Sequence, residues 1–104
     1  MKAILIDPWE KSIGIVDVEE GTHWAALQDL YKLVGEDGLD FCRLGQGECI
    51  LVGDHSALHN PPLPHYRIGA EIFYGRGVVL GYNRDGNERE TKLTVEDISR
   101  AIDW

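Results

Sequence analysis

Arg76-Gly77-Val78-Val79-Leu80-Gly81-Tyr82 is an apolar, β-branched run that stops at the turn residues Asn83-Arg84-Asp85-Gly86. Valine and tyrosine suit a pleated, half-buried backbone, whereas asparagine, aspartate and glycine favour turns. The run predicts a strand. After a polar stretch, Thr94 stands where a helix N-cap is needed, with Glu96 and Asp97 in the first turn, where carboxylates face the positive end of the dipole. Val95, Ile98, Ala101 and Ile102 fall on one face at helical spacing, so a closing helix with a buried stripe is predicted over 94–103. Such an ending is expected to close a compact domain and to carry no chemistry.

At the other end of the chain, Lys2 to Ile6 reads as a first strand, closed by the turn chemistry of Asp7-Pro8-Trp9-Glu10-Lys11. Ser12 to Val18 alternates loosely and reads as its antiparallel partner. Glu19-Glu20-Gly21 breaks that strand, and Thr22 is placed to cap a helix from about His23 to Val34. Trp24, Leu27, Leu30, Tyr31 and Val34 recur on that helix at three- and four-residue spacing, and Gly35 and Gly38 stop it. Leu39 to Leu44 and Glu48 to Val52 read as a hairpin around Gly45-Gln46-Gly47. Residues 53–65 form a long loop, followed by a short strand at Tyr66 to Ile68. The expected fold is α+β, ββαββ(β)βα: a single domain over 1–104 with a mainly antiparallel sheet of about five strands and the helices packed on one face.

Composition narrows the function classes. A chain of 104 residues with 43% hydrophobic and 27% charged residues is an ordinary globule that buries a core without staples. No run approaches the roughly 20 apolar residues of a membrane span, and Asp7-Pro8 cuts the opening apolar run short, so neither a membrane segment nor a signal peptide is expected. Two cysteines in such a chain fit a reducing compartment, and the cytoplasm is the expected location. The net charge is -8, and residues 1–54 hold eleven of the acids against four bases. That field repels phosphate, so direct nucleic-acid binding is not expected. It suits solubility, or a partner with a basic surface, for which Glu19, Glu20, Glu36, Asp37 and Asp40 are the candidate contacts.

The opening Met1-Lys2-Ala3-Ile4-Leu5-Ile6-Asp7-Pro8, the Phe41 to Leu44 strand, Asn60-Pro61, Gly75-Arg76-Gly77-Val78-Val79-Leu80-Gly81 and Leu93-Thr94-Val95-Glu96-Asp97 together carry a resemblance. The chain resembles a family of small proteins of unassigned activity coded by bacteriophages, plasmids and their hosts. The resemblance covers most of the chain, but its motifs are structural. It implies a mobile-element accessory protein and no reaction type. The segment from His55 to His65 departs from the family pattern.

Chemistry, if present, is expected among the histidines. Cys42, Cys49, His55, His59 and His65 are spaced more widely than the tight cysteine knuckle of a zinc site. Whether Cys42 and Cys49 share a face depends on the hairpin loop: two or four residues put them together, three set them apart. The three prolines between His59 and Arg67 stiffen their loop, and His59, Asn60, His65, Tyr66, Arg67 and Arg76 are the candidate ligand-binding residues, offering stacking and a guanidinium fork to an anion. Gly75, Gly77 and Gly81 precede and interrupt a strand instead of opening a helix, so they form no phosphate loop. No nucleophile motif or paired acid and base is visible, so no enzyme, metal or cofactor is expected. The expected function is that of a phage or mobile-element accessory protein acting by binding, for example inhibiting a host defence or regulatory protein. The alternatives are a sequestering module for an anionic metabolite or nucleotide, and a small metal-dependent hydrolase built on the histidine-rich loop. A homodimer is also expected, through an unblocked sheet edge or through Trp104. On that view the apolar 75–82 run is either central or an interface.

Overall fold

The computed structural model describes residues 1–20, 23–35 and 38–104, with the backbone alone at 23–26. Strand β7 (Gly77–Tyr82) organises everything around it. It lies between β1 (Lys2–Asp7) and β4 (Glu48–Gly53), and the sheet continues outward to β2 (Ser12–Asp17) on one side and β3 (Leu39–Gly45) on the other. The two-residue β8 (Glu88–Arg89) adds to the end of β7 at Gly81 and Tyr82. Every pairing is antiparallel, so the fold is α+β with a mainly antiparallel sheet, as the sequence predicts.

β7 is buried on both faces, which explains why it reads as a continuous apolar run and not as an alternating one. The 75–82 run is central. Val78 and Leu80 point to one side, where Ala3, Val18, Leu30, Val34 and Cys49 complete a core under α1 (His23–Val34). Val79 points to the other, into a second core with Ile4, Ile6, Ile50, Tyr66, Phe73 and Ile98. Leu30 is 1% exposed. Leu30→Ala is expected to cost roughly 2 to 5 kcal/mol in urea unfolding, and a loss below about 1 kcal/mol would show that the first core does not depend on α1.

The second core departs from the sequence reading. A separate three-stranded sheet covers it, with β5 (His65–Ile68) between β6 (Glu71–Tyr74) and β9 (Ile102–Asp103). The helices therefore do not share a face: α1 packs on the first core, whereas α2 (Val95–Ala101) brings Ile98 to the second. The closing helix is also shorter than its apolar spacing suggests. It ends at Ala101, which is exposed, and Ile102 pairs with Ile68 as a strand. A backbone ladder to β5 displaces the last helical turn.

The start of α2 follows its residues closely. Thr94 and Asp97 form a reciprocal capping box, at 3.0 Å from the Asp97 N–H to the threonine hydroxyl and 2.9 Å from the Thr94 N–H to the carboxylate. Those hydrogen bonds hold the Asp97 carboxyl below its ordinary pKa. The expected cap of α1, Thr22, and the side chain of Trp24 lie outside the described residues, but Leu27, Leu30, Tyr31 and Val34 keep the predicted stripe buried or half-buried.

In the β3–β4 hairpin, Gln46 and Gly47 form a two-residue turn, both with positive φ (55° and 77°), which matches the twist of the flanking strands. A bulge between Arg43 and Gly45 shifts the register by one residue. Without it the two-residue loop would put Cys42 and Cys49 on one face. With it Cys42 lies opposite Ile50 and Cys49 opposite Arg43, so the thiols point to opposite faces of the sheet. Both are free: Cys49 is buried in the first core, and Cys42 packs, partly buried, against the second. Burial raises the Cys42 thiol pKa, with the Glu71 carboxylate adding to it, and pushes Cys49 up to about 11.

Candidate functional site

Two clefts bear on function. The first, about 160 Å³, lies where the residues leading into β7, the β1–β2 turn and the end of α1 meet, and it brings together His59 and Arg76 from the sequence-based candidates. Trp9, Ser56 and Gly75 also line it, and the sequence did not single these out for a site. Arg76 is already engaged there. Its Nε lies 3.3 Å from Asp7 Oδ2, and its guanidinium carbon sits 5.1 Å from the Trp9 ring centroid. Val34 and Gly35, at the negative end of the α1 dipole, line the same space. A carboxylate, an aromatic face and a helix C-terminus are what a guanidinium needs for a structural clamp. The cleft is also well below the roughly 300 Å³ at which small-molecule sites begin.

The remaining ligand candidates are dispersed. Alternation along β5 turns His65 and Arg67 outward and Tyr66 inward. Tyr66 is fully buried, stacks at a tilt against Phe73 and meets Trp104 edge-on at 6.0 Å. Its hydroxyl has no hydrogen-bond partner among the described residues and points at Gly77; burial drives its pKa well up. Tyr66 is thus a core residue and cannot share a ligand with Arg67. Asn60 is exposed, and its bond to Pro61 is cis.

The histidines do not converge either. His55 lies 3.8 Å from the Asp54 carboxylate, and His65 lies 5.8 Å from the Tyr74 ring. Among the described residues, no three His, Cys, Asp or Glu side chains are grouped so that they could hold a metal ion.

The second cleft, about 260 Å³, lies between β3 and β6, the outer strands of the two sheets. Asp40, Asp54 and Glu71 line it, over an apolar floor that includes Val52 and Phe73. Ile72 borders it at 44% exposure, and Phe41 borders it at the β3 edge, with its ring, in a residue 51% exposed, turned to the other face of the sheet against Tyr82. The Asp54 carboxylate lies directly over Gly38, where any side chain would displace it. The one cation on β3, Arg43, is turned to the opposite face and sits over the Tyr82 ring. Of the acidic candidates among the described residues, only Asp40 belongs to this cleft. Glu19 and Glu20 follow β2 at the far edge of the main sheet, and Glu36 and Asp37 lie outside the described residues.

A profile described as a domain of unknown function, DUF3846, matches residues 1–104. The chain belongs to the DUF3846 family. No curated protein and no solved structure gives a significant match. What marks this DUF3846 chain is steric. Gly77 leaves room for the Tyr66 hydroxyl, and Gly81 leaves room for the Arg89 guanidinium. No helix of the DUF3846 domain is long and apolar enough to cross a membrane among the described residues.

Proposed function

We propose that this DUF3846 protein is a phage or mobile-element accessory protein that acts by binding a host or phage protein with a basic surface, and so inhibits a defence or regulatory component. The observation that carries the reading is the acidic cleft between β3 and β6. Three carboxylates line it, exposed Ile72 offers apolar area beside them, and exposed Phe41 offers more across the β3 edge. Carboxylates rimming apolar contacts select a cationic partner, steer its approach and exclude acidic ones. The resemblance to phage and plasmid proteins supplies the biological setting, and the net charge of -8 agrees with it.

Sequestration of an anionic metabolite is less well supported, because Arg76 is held by Asp7 and Trp9. The test is affinity capture from host lysate with the intact protein as bait. A stoichiometric protein partner is expected at low salt and should be released as salt rises to about 0.5 M, where screening shortens to a few ångströms. Native mass spectrometry showing a bound small anion and no protein partner would overturn the proposal.

A further inference from the structure

We infer that the unpaired edge of β3, with the cleft beside it, takes an extended basic segment of the partner protein as an added strand. This rests on the binding function proposed above and names where and how that binding occurs.

The backbone makes the edge available. Asp54 N–H donates to the Gly38 carbonyl at 3.1 Å, which fixes the phase of hydrogen bonding between β3 and β4. In an antiparallel pair the bonded residues alternate, so Asp40 and Cys42 turn their N–H and C=O groups toward β4, opposite Val52 and Ile50. Leu39, Phe41 and Arg43 turn theirs outward, away from the sheet. Among the described residues β3 ends its sheet; it is seven residues long and contains no proline. An edge of that kind is a template for another strand unless something blocks it.

The side chains then specify the occupant. Along the edge, Asp40 faces the β6 side with Cys42, while Phe41 stands half exposed. Asp54 and Glu71 extend the negative rim away from the edge, toward β4 and β6. A strand laid beside β3 turns every second side chain toward that rim, so arginine or lysine at alternate positions would meet Asp40, Asp54 and Glu71. The intervening apolar side chains would lie on the Phe41 face. At the other edge of the main sheet, β2, the Asp17 carboxylate is already held by the N-terminal ammonium at 3.1 Å.

An acetylated eight-residue peptide of alternating arginine and valine, added to the intact protein, tests this by amide hydrogen exchange. At saturation the Phe41 and Arg43 amides should exchange about tenfold or more slowly, with Ile13 and Ile15 on β2 unchanged. An aspartate–valine peptide should have no effect. The double variant Asp40→Lys, Glu71→Lys changes two exposed side chains and should abolish the protection. Binding without protection at Phe41 and Arg43, or equal protection at Ile15, would overturn the inference. So would protection that appears without peptide and grows with protein concentration, since a second copy would then fill the edge. In lysate capture, a salt-sensitive partner held equally by the double variant removes this site and leaves the proposed function intact. Loss of that partner by the double variant alone supports the site, and failure of the unaltered protein to capture any protein partner removes the function itself.

Discussion

Gly77→Ala is expected to destabilise the protein by about 3 kcal/mol, at the upper end of the overpacking range. Gly77 lies in the central strand between Ile6 of β1 and Val52 of β4, so its backbone is held on both edges. An added Cβ would overlap the Tyr66 hydroxyl and lie 2.8 Å from Ile50 Cδ1. Neither neighbour can move into solvent, because both are fully buried. Tyr66→Phe provides the control. It removes a buried hydroxyl that has no partner among the described residues, so alone it should be neutral or stabilising by about 1 kcal/mol. Combined with Gly77→Ala it should recover part of the loss, leaving the contact with Ile50. Urea unfolding of the four proteins measures this coupling. Simple additivity would show that the hydroxyl is not what Gly77 accommodates.

Glu48→Ala should be at least as damaging, at roughly 3 to 5 kcal/mol, because it leaves a guanidinium without its carboxylate in a largely buried setting. Glu48, Gly81 and Arg89 lie in one row across β4, β7 and β8. Arg89 reaches over the middle strand, where Gly81 has no side chain, and places Nη1 2.9 Å from Glu48 Oε2. Its other nitrogen donates to the Gly47 carbonyl at 2.9 Å. The Thr91 hydroxyl and, at 3.4 Å, the Lys92 N–H also donate to Glu48, which is 4% exposed. Replacing both ends by methionine should restore most of the lost stability, since a well-packed apolar pair often does as well as a buried ion pair. If Glu48→Ala, Arg89→Ala lost the full sum of the single losses, the bridge would be energetically silent.

The main sheet was legible because its strands announce themselves locally. β1, β4 and β7 are apolar runs bounded by proline, glycine or asparagine, β3 is joined to β4 by the turn residues Gly45-Gln46-Gly47, and the stripe of α1 repeats at helical spacing. The second sheet was not. β6 is four residues, Glu-Ile-Phe-Tyr, and β9 only two, too short for any period to register. Ile102 fits a helical stripe and a strand equally well, and only the distant β5 decides between them. The candidate site suffered similarly. Asp40 was visible as part of an acidic half, but its companions Asp54 and Glu71 come from other elements, and charge alone gives no sign that they meet. Arg76 was singled out as a guanidinium fork for a bound anion, but its partners Asp7 and Trp9 lie some seventy residues away and use up the charge.

The position of β7 has a consequence for synthesis. The two hairpins, β1–β2 and β3–β4, leave the ribosome first, yet they do not pair with each other. Their inner strands carry Ala-Ile-Leu-Ile and Cys-Ile-Leu-Val and wait, each with one open side, for residues 77–82 to emerge between them. Until then the nascent chain presents two sticky half-sheets. Closure of the sheet depends on a contact spanning most of the chain, which makes it the slow, late step of folding and the stage at which a chaperone would have something to hold.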